Sequence, residues 1–182
     1  MEADLKSACE MLAKRTLPRW NELPDLELYM DQVTSLIGRY LKDDRELTAS
    51  MVNNYVKHKA MPAPVRKKYT REHLAYLIMI CTLKQSVNMT YVQRMIPMGL
   101  TPEQVKERYE HYIALHRATC ELFLEQTRIY ARPVTHFDGS NPEAVEDLVF
   151  LSAIVSGFSK LLTEKIVRLE AGFQAQAKQE KV

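Results

Sequence analysis

A mainly α-helical chain is expected from three observations. Apolar residues recur at intervals of three and four through nearly all of the 182 residues. Glycine is scarce, five in all, which disfavours sheet-rich folds and glycine-rich phosphate loops. Thr101-Pro102-Glu103 and Asn141-Pro142-Glu143 each combine a capping residue, a proline at the first helical position and an acid in the first turn, the signature of a helix start. With 46% apolar and 26% charged residues, the chain has enough material for a core and is too apolar for intrinsic disorder.

The elements follow in order. Residues 2–15 carry Leu5, Ala8, Cys9, Met11 and Leu12 at helical spacing. Residues 18–24 form a turn between two prolines, with Trp20 placed on the core. Asp25 is an N-cap candidate for a helix whose stripe is Leu26, Met30, Val33, Leu36, Ile37, Tyr40 and Leu41. Thr48 caps a helix to about Lys59, and a proline-marked loop, Met61 to Tyr69, follows. Thr70 caps a helix that is apolar nearly all round, which puts it in the middle of a domain. A short helix, about Met89–Ile96, is stopped by Pro97-Met98-Gly99. The helix opened at Pro102 meets no breaker until Pro133; the last one runs from Pro142 into the 170s and frays into a disordered polar tail. This divides the chain into N-terminal helices with a compact part, 1–98 (its core about 25–98), and an antiparallel helical hairpin, 101–182.

Cys9, Cys81 and Cys120 are far apart and odd in number, and no CxxC occurs, so neither a disulfide framework nor a zinc knuckle is expected. A reducing compartment fits best. The most apolar stretch, Leu74–Cys81, is well short of the ~20 residues a bilayer requires. The amphipathic N-terminus has no apolar h-region. A cytoplasmic protein with no membrane partner is expected.

The net charge of +2 is an average over two unlike parts. Residues 48–94 hold eight cations (Lys57, Lys59, Arg66, Lys67, Lys68, Arg71, Lys84, Arg94) against the single acid Glu72. That is +7, and it leaves −5 for the remainder. A confined basic segment in an acidic chain is the electrostatic footprint of a nucleic-acid binder. On a wheel of about 100° per residue, Ser50, Asn53, Asn54, Lys57 and His58 form one arc, opposite Met51, Val52, Tyr55 and Val56. The polar arc contains no acid and offers side chains that reach base edges and phosphates. A polar helix face, a short basic piece over 65–69 and a buried helix read as a helix-turn-helix with a wing.

The segment from Leu47 to Ile96 resembles the MerR-type winged-helix DNA-binding domain. The resemblance rests on Tyr55, Pro62, Tyr69, Thr70, Leu74, Leu77 and Ile96. The wing here is shorter and lacks a glycine at its tip, and the preceding helix lies further upstream. The runs LPRWNELPDLELYMDQV, MVNNYVK and KKYTREHLAYLIMICTLKQ are similar to a bacterial family known as domain of unknown function 1836, over roughly residues 17–130. The MerR resemblance implies double-stranded DNA as partner and a long helix after the DNA-binding unit that forms an antiparallel dimer.

In the last helix Leu148, Leu151, Val155, Phe158, Leu162 and Leu169 form a coiled-coil-like seam broken by Lys165, and they are the expected homodimer interface. A C2 dimer would set two weak DNA-binding units on a two-fold operator. Aromatic residues of the hairpin (Tyr109, Tyr112, Phe123, Tyr130, Phe150, Phe158) admit a small-molecule effector pocket, though such a stripe is more often core. His116 and Cys120 share a helix face, but two ligands on one helix do not make a metal site. No nucleophile, P-loop or zinc-protease signature occurs, so no enzyme, metal or cofactor is expected.

The expected function is that of a homodimeric, DNA-binding transcriptional regulator. Its recognition helix is about 48–59, with Ser50, Asn53, Asn54, Lys57 and His58 in the major groove. Arg66, Lys67 and Lys68 clamp phosphates from the wing, and Arg71 adds one more. Six neutralised phosphates would give a slope of log K against log salt of about −5. The alternative is an all-helical protein-interaction module, or a ligand-sensing regulator, without its own sequence-specific DNA binding.

Overall fold

The structure, a computed structural model, describes residues 16–41, 46–130 and 143–179, together with Ser7, Glu10 and Met11. Those last three are helical, and the rest of the expected N-terminal helix over 2–15 lies outside the described residues, as does the 133–141 turn. A 3₁₀ turn at Trp20–Glu22 leads to helices α1 (Met30–Leu41), α2 (Ala49–Lys57), α3 (Arg71–Leu83), α4 (Met89–Met95), α5 (Pro102–Tyr130) and α6 (Glu143–Gln179). Among the described residues the β-structure is confined to two isolated bridges, Leu28 with Tyr69 and Val65 with Lys68.

Helix α3 is the hub. His73 through Ile80 are buried without a break, as an all-round apolar helix requires. Helix α1 packs on it through Val33 and Ile37, and the first half of α5 does so through Val105, Tyr109 and Ile113. Tyr109 is fully buried, donates its hydroxyl to the Pro18 carbonyl at 2.8 Å and meets Trp20 edge-on at 6.0 Å. Tyr112 and Thr82 join α5 to α3 through their hydroxyls at 2.5 Å. No helix among the described residues is long and apolar enough to cross a membrane.

The capping chemistry follows the expected pattern at three starts. Thr48 Oγ1 accepts from the Met51 N–H at 3.3 Å. Thr70 forms a capping box in which His73 Nδ1 takes the place of the usual Glu or Gln. Thr101 and Gln104 exchange two bonds, Gln104 N–H to Thr101 Oγ1 at 3.3 Å and Thr101 N–H to Gln104 Oε1 at 3.0 Å.

Two expectations are corrected. The second helix starts at Met30 and not at Asp25, because Leu28 is held extended by both backbone bonds to Tyr69 and the Gln32 amide oxygen accepts from the Tyr29 N–H instead. Helix α6 continues to Gln179 through the tail expected to fray; Gln, Ala and Lys are all good helix formers. Helix α5 lies on α3 and the 3₁₀ turn, whereas α6 docks on α4. There Val167 is buried, and Arg168 donates from Nε to the Tyr91 hydroxyl at 2.8 Å with its guanidinium over that ring.

Candidate nucleic-acid interface

Helix α2 is amphipathic in the way its sequence dictates. Val52 and Tyr55 are buried, Met51 and Val56 are half-buried, and Ser50, Asn53, Asn54, Lys57 and His58 are all exposed. Burial pushes the Tyr55 phenol up to about 12, so it stays protonated, and the Lys84 ammonium sits over its ring at 5.4 Å. The helix ends where Lys59 takes a left-handed φ of 54°. There the Gln93 amide of α4 donates to the His58 carbonyl and fixes the C-terminus of α2 against α4.

The loop that follows is a minimal hairpin. The Lys68 N–H donates to the Val65 carbonyl at 2.9 Å, and Arg66 and Lys67 between them have φ of 51° and 64°. Positive φ at both central residues is the requirement of a type I′ turn, normally met by Asn-Gly. Here two cations occupy it, each in a conformation that costs on the order of 1 kcal/mol or more for a residue with a side chain. Both are exposed.

The other two cations assigned to phosphate binding are engaged within the chain. Lys68 Nζ is 2.8 Å from Glu27 Oε2, and that hydrogen bond holds the ammonium above its ordinary range. Arg71 lies 3.5 Å from Asp25 and stacks over Trp20 at 5.7 Å, and its buried Nε has no hydrogen-bond partner among the described residues. Asp25 and Glu27 therefore serve as anchors of the hairpin and of the start of α3, a role the sequence reading did not give them. Nothing local marks it, because the pairing partners lie some forty positions away.

His73 ties these parts together. Its Nδ1 accepts from the Thr70 N–H at 3.0 Å and its Nε2 donates to the Ala63 carbonyl at 3.3 Å, the pattern of a neutral imidazole. Burial holds it below the ordinary histidine range, against the weaker opposing pull of the Ala63 carbonyl and the Glu72 charge. An imidazole that protonates more readily in the unfolded chain stabilises the fold fully above about pH 6.5 and loses that contribution as the pH falls. The melting temperature is expected to be flat above about pH 7 and to drop towards pH 5.5. NMR should find the His73 ring titrating below about 6.5; titration above that value would contradict the arrangement.

Elsewhere Tyr109 and Tyr112 are taken up in hydrogen bonds of the core. A cleft of about 680 Å³ lies instead between the 3₁₀ turn and α5, lined by Trp20, Ile113, Arg19, Lys106, Arg117 and Glu110 among others. His116 Nδ1 and Cys120 Sγ are 3.7 Å apart, and burial shifts both towards their neutral forms. In the expected dimer seam, Leu151, Phe158, Leu162 and Leu169 are exposed, while Leu148 and Val155 are half-buried.

Residues 18–113, just over half of the chain, match the family described as a domain of unknown function, DUF1836, and the chain belongs to that family. The match ends within α5 at Ile113, short of the 130 suggested by sequence similarity. No curated protein and no solved structure matches the chain. The family region contains α2, the Arg66-Lys67 turn and α3, and excludes α6.

Proposed function

We propose that the protein is a DNA-binding transcriptional regulator acting as a homodimer, with a MerR-like winged helix-turn-helix in which α2 enters the major groove. The observation that carries this reading is the exposed, acid-free face of α2 followed closely by a turn that holds two exposed cations at positive φ. A strained turn persists where the surrounding structure enforces it, and it is concentrated at functional sites. Glycine would remove the strain and also the charge, so Arg66 and Lys67 at these positions fit a phosphate-contacting tip. Asn53 and Asn54 are of the residue type that pairs with adenine edges, and Lys57 of the type that contacts guanine or phosphate. Since Lys68 and Arg71 are paired with Glu27 and Asp25, the wing's contribution to phosphate binding falls to Arg66 and Lys67.

An electrophoretic shift with genomic fragments tests the reading. Asn54→Ala is expected to relax base preference at one position by about 1–3 kcal/mol, whereas Lys67→Ala weakens all sequences alike. Two variants indistinguishable in their sequence profiles would argue against a recognition role for α2. The engagement of Lys68 and Arg71 by acids favours a second reading, a protein-interaction module with a weaker basic face, and that reading predicts no shift at low salt.

A further inference from the structure

We propose that α6 pairs with α6 of a second copy of this chain, antiparallel and centred at the axial level of Ser156, through the face turned away from α4. This deepens the homodimer of the reading above and does not depend on DNA. Thr163, Glu164, Val167 and Ala171 are the half-buried or buried positions in the second half of α6, and their spacing puts them on one face, the face that docks on α4. At about 100° per residue, Phe150, Ile154, Phe158, Leu161 and Leu162 centre roughly 140° round the helix from that face, on the side away from α4, and the long Arg168 side chain reaches round from the edge to Tyr91. Each is more than half exposed, Phe158 the most at 67%. Half-exposed side chains of this size leave roughly 100 Å² each. With Leu151 that gives roughly 600 Å² per copy, the upper end of what a monomer ordinarily leaves in water, and about 1,200 Å² for a pair, the lower edge of a stable interface.

Charge selects the partner and its direction. Between 147 and 166 this face carries two charged residues, Asp147 and Lys165, both exposed. They are eighteen residues apart, five full turns, and so point the same way. An antiparallel two-fold at the axial level of Ser156 sets Asp147 opposite the partner's Lys165, twice over. The same register opposes Phe150 to the partner's Leu162, Leu151 to the partner's Leu161, and Ile154 to the partner's Phe158. A parallel pair would set each charge against its own copy, which is repulsive.

Sedimentation equilibrium of the full chain without DNA tests this. The wild type is expected to be a dimer at about 10 µM, and Phe158→Asp at least a hundredfold weaker. Asp147→Lys and Lys165→Asp, both exposed and harmless to the fold, should each weaken the dimer roughly three- to tenfold at about 50 mM salt, and the double reversal should restore it to within about twofold. A monomeric wild type, or a Phe158→Asp protein that folds and dimerises normally, overturns the interface. Single reversals without effect, or a double variant no better than the singles, overturn the antiparallel register. Half-site DNA binding by the monomeric variant is read separately, so the DNA reading stands or falls on its own.

Discussion

Replacing Arg66 and Lys67 together by glycine should leave the protein as stable as before or slightly more stable, while removing most of its DNA affinity. Both residues sit at positive φ, where glycine meets no Cβ penalty. Relief of that strain, offset in part by the greater freedom of glycine in the unfolded chain, gives an expected change of about 0 to +1 kcal/mol per site. Each lost cation is expected to lower affinity about tenfold at roughly 50 mM salt and to make the slope of log K against log salt shallower by about 0.9. The double variant would then bind about a hundredfold more weakly with a slope smaller by about two. The wild-type slope itself should be nearer −4 than −5, because Lys68 and Arg71 are already neutralised by Glu27 and Asp25. Thermal melts and fluorescence anisotropy over a salt series measure the two halves. Loss of stability with unchanged binding would show that the turn is structural and not a contact.

Tyr109→Ala should be the most damaging single change to the fold. The ring is fully buried between α3 and the 3₁₀ turn, and its hydroxyl satisfies the Pro18 carbonyl. Burial raises its pKa, so the phenol remains a donor across any usable pH. Truncating a buried aromatic costs about 3–5 kcal/mol, which for a chain of this size is a fall of roughly 10–15 °C in Tm. Tyr109→Phe keeps the packing and loses one bond, about 1 kcal/mol. If the alanine variant melts within a few degrees of the wild type, α5 is not part of the core that the structure describes.

Much of this architecture is legible in the sequence. The unbroken apolar run of α3 predicts its central position, and Thr48, Thr70 and Thr101 announce their helices because capping is local chemistry, settled within three or four residues. What the sequence concealed depends on distant partners. Asp25 looks like a cap, but the backbone bonds of Leu28 to Tyr69 keep that segment extended. Arg66-Lys67 does not look like a type I′ turn, since turn chemistry leads one to expect Asn and Gly there. Likewise, the basic count over 48–94 overstates the free charge, because two of its cations are held by acids outside the segment. The polar arc of α2 was readable because amphipathic periodicity fixes both of its faces at once.

The central claim is that the exposed face of α2 reads DNA sequence. Its most direct test is selection of genomic fragments by the purified protein, run in parallel with Asn53→Ala/Asn54→Ala. The wild type is expected to enrich a two-fold symmetric motif, and the variant to retain salt-dependent binding while losing base preference within each half-site. Failure of the wild type to enrich any fragment, or enrichment of the same motif by the variant, would contradict it.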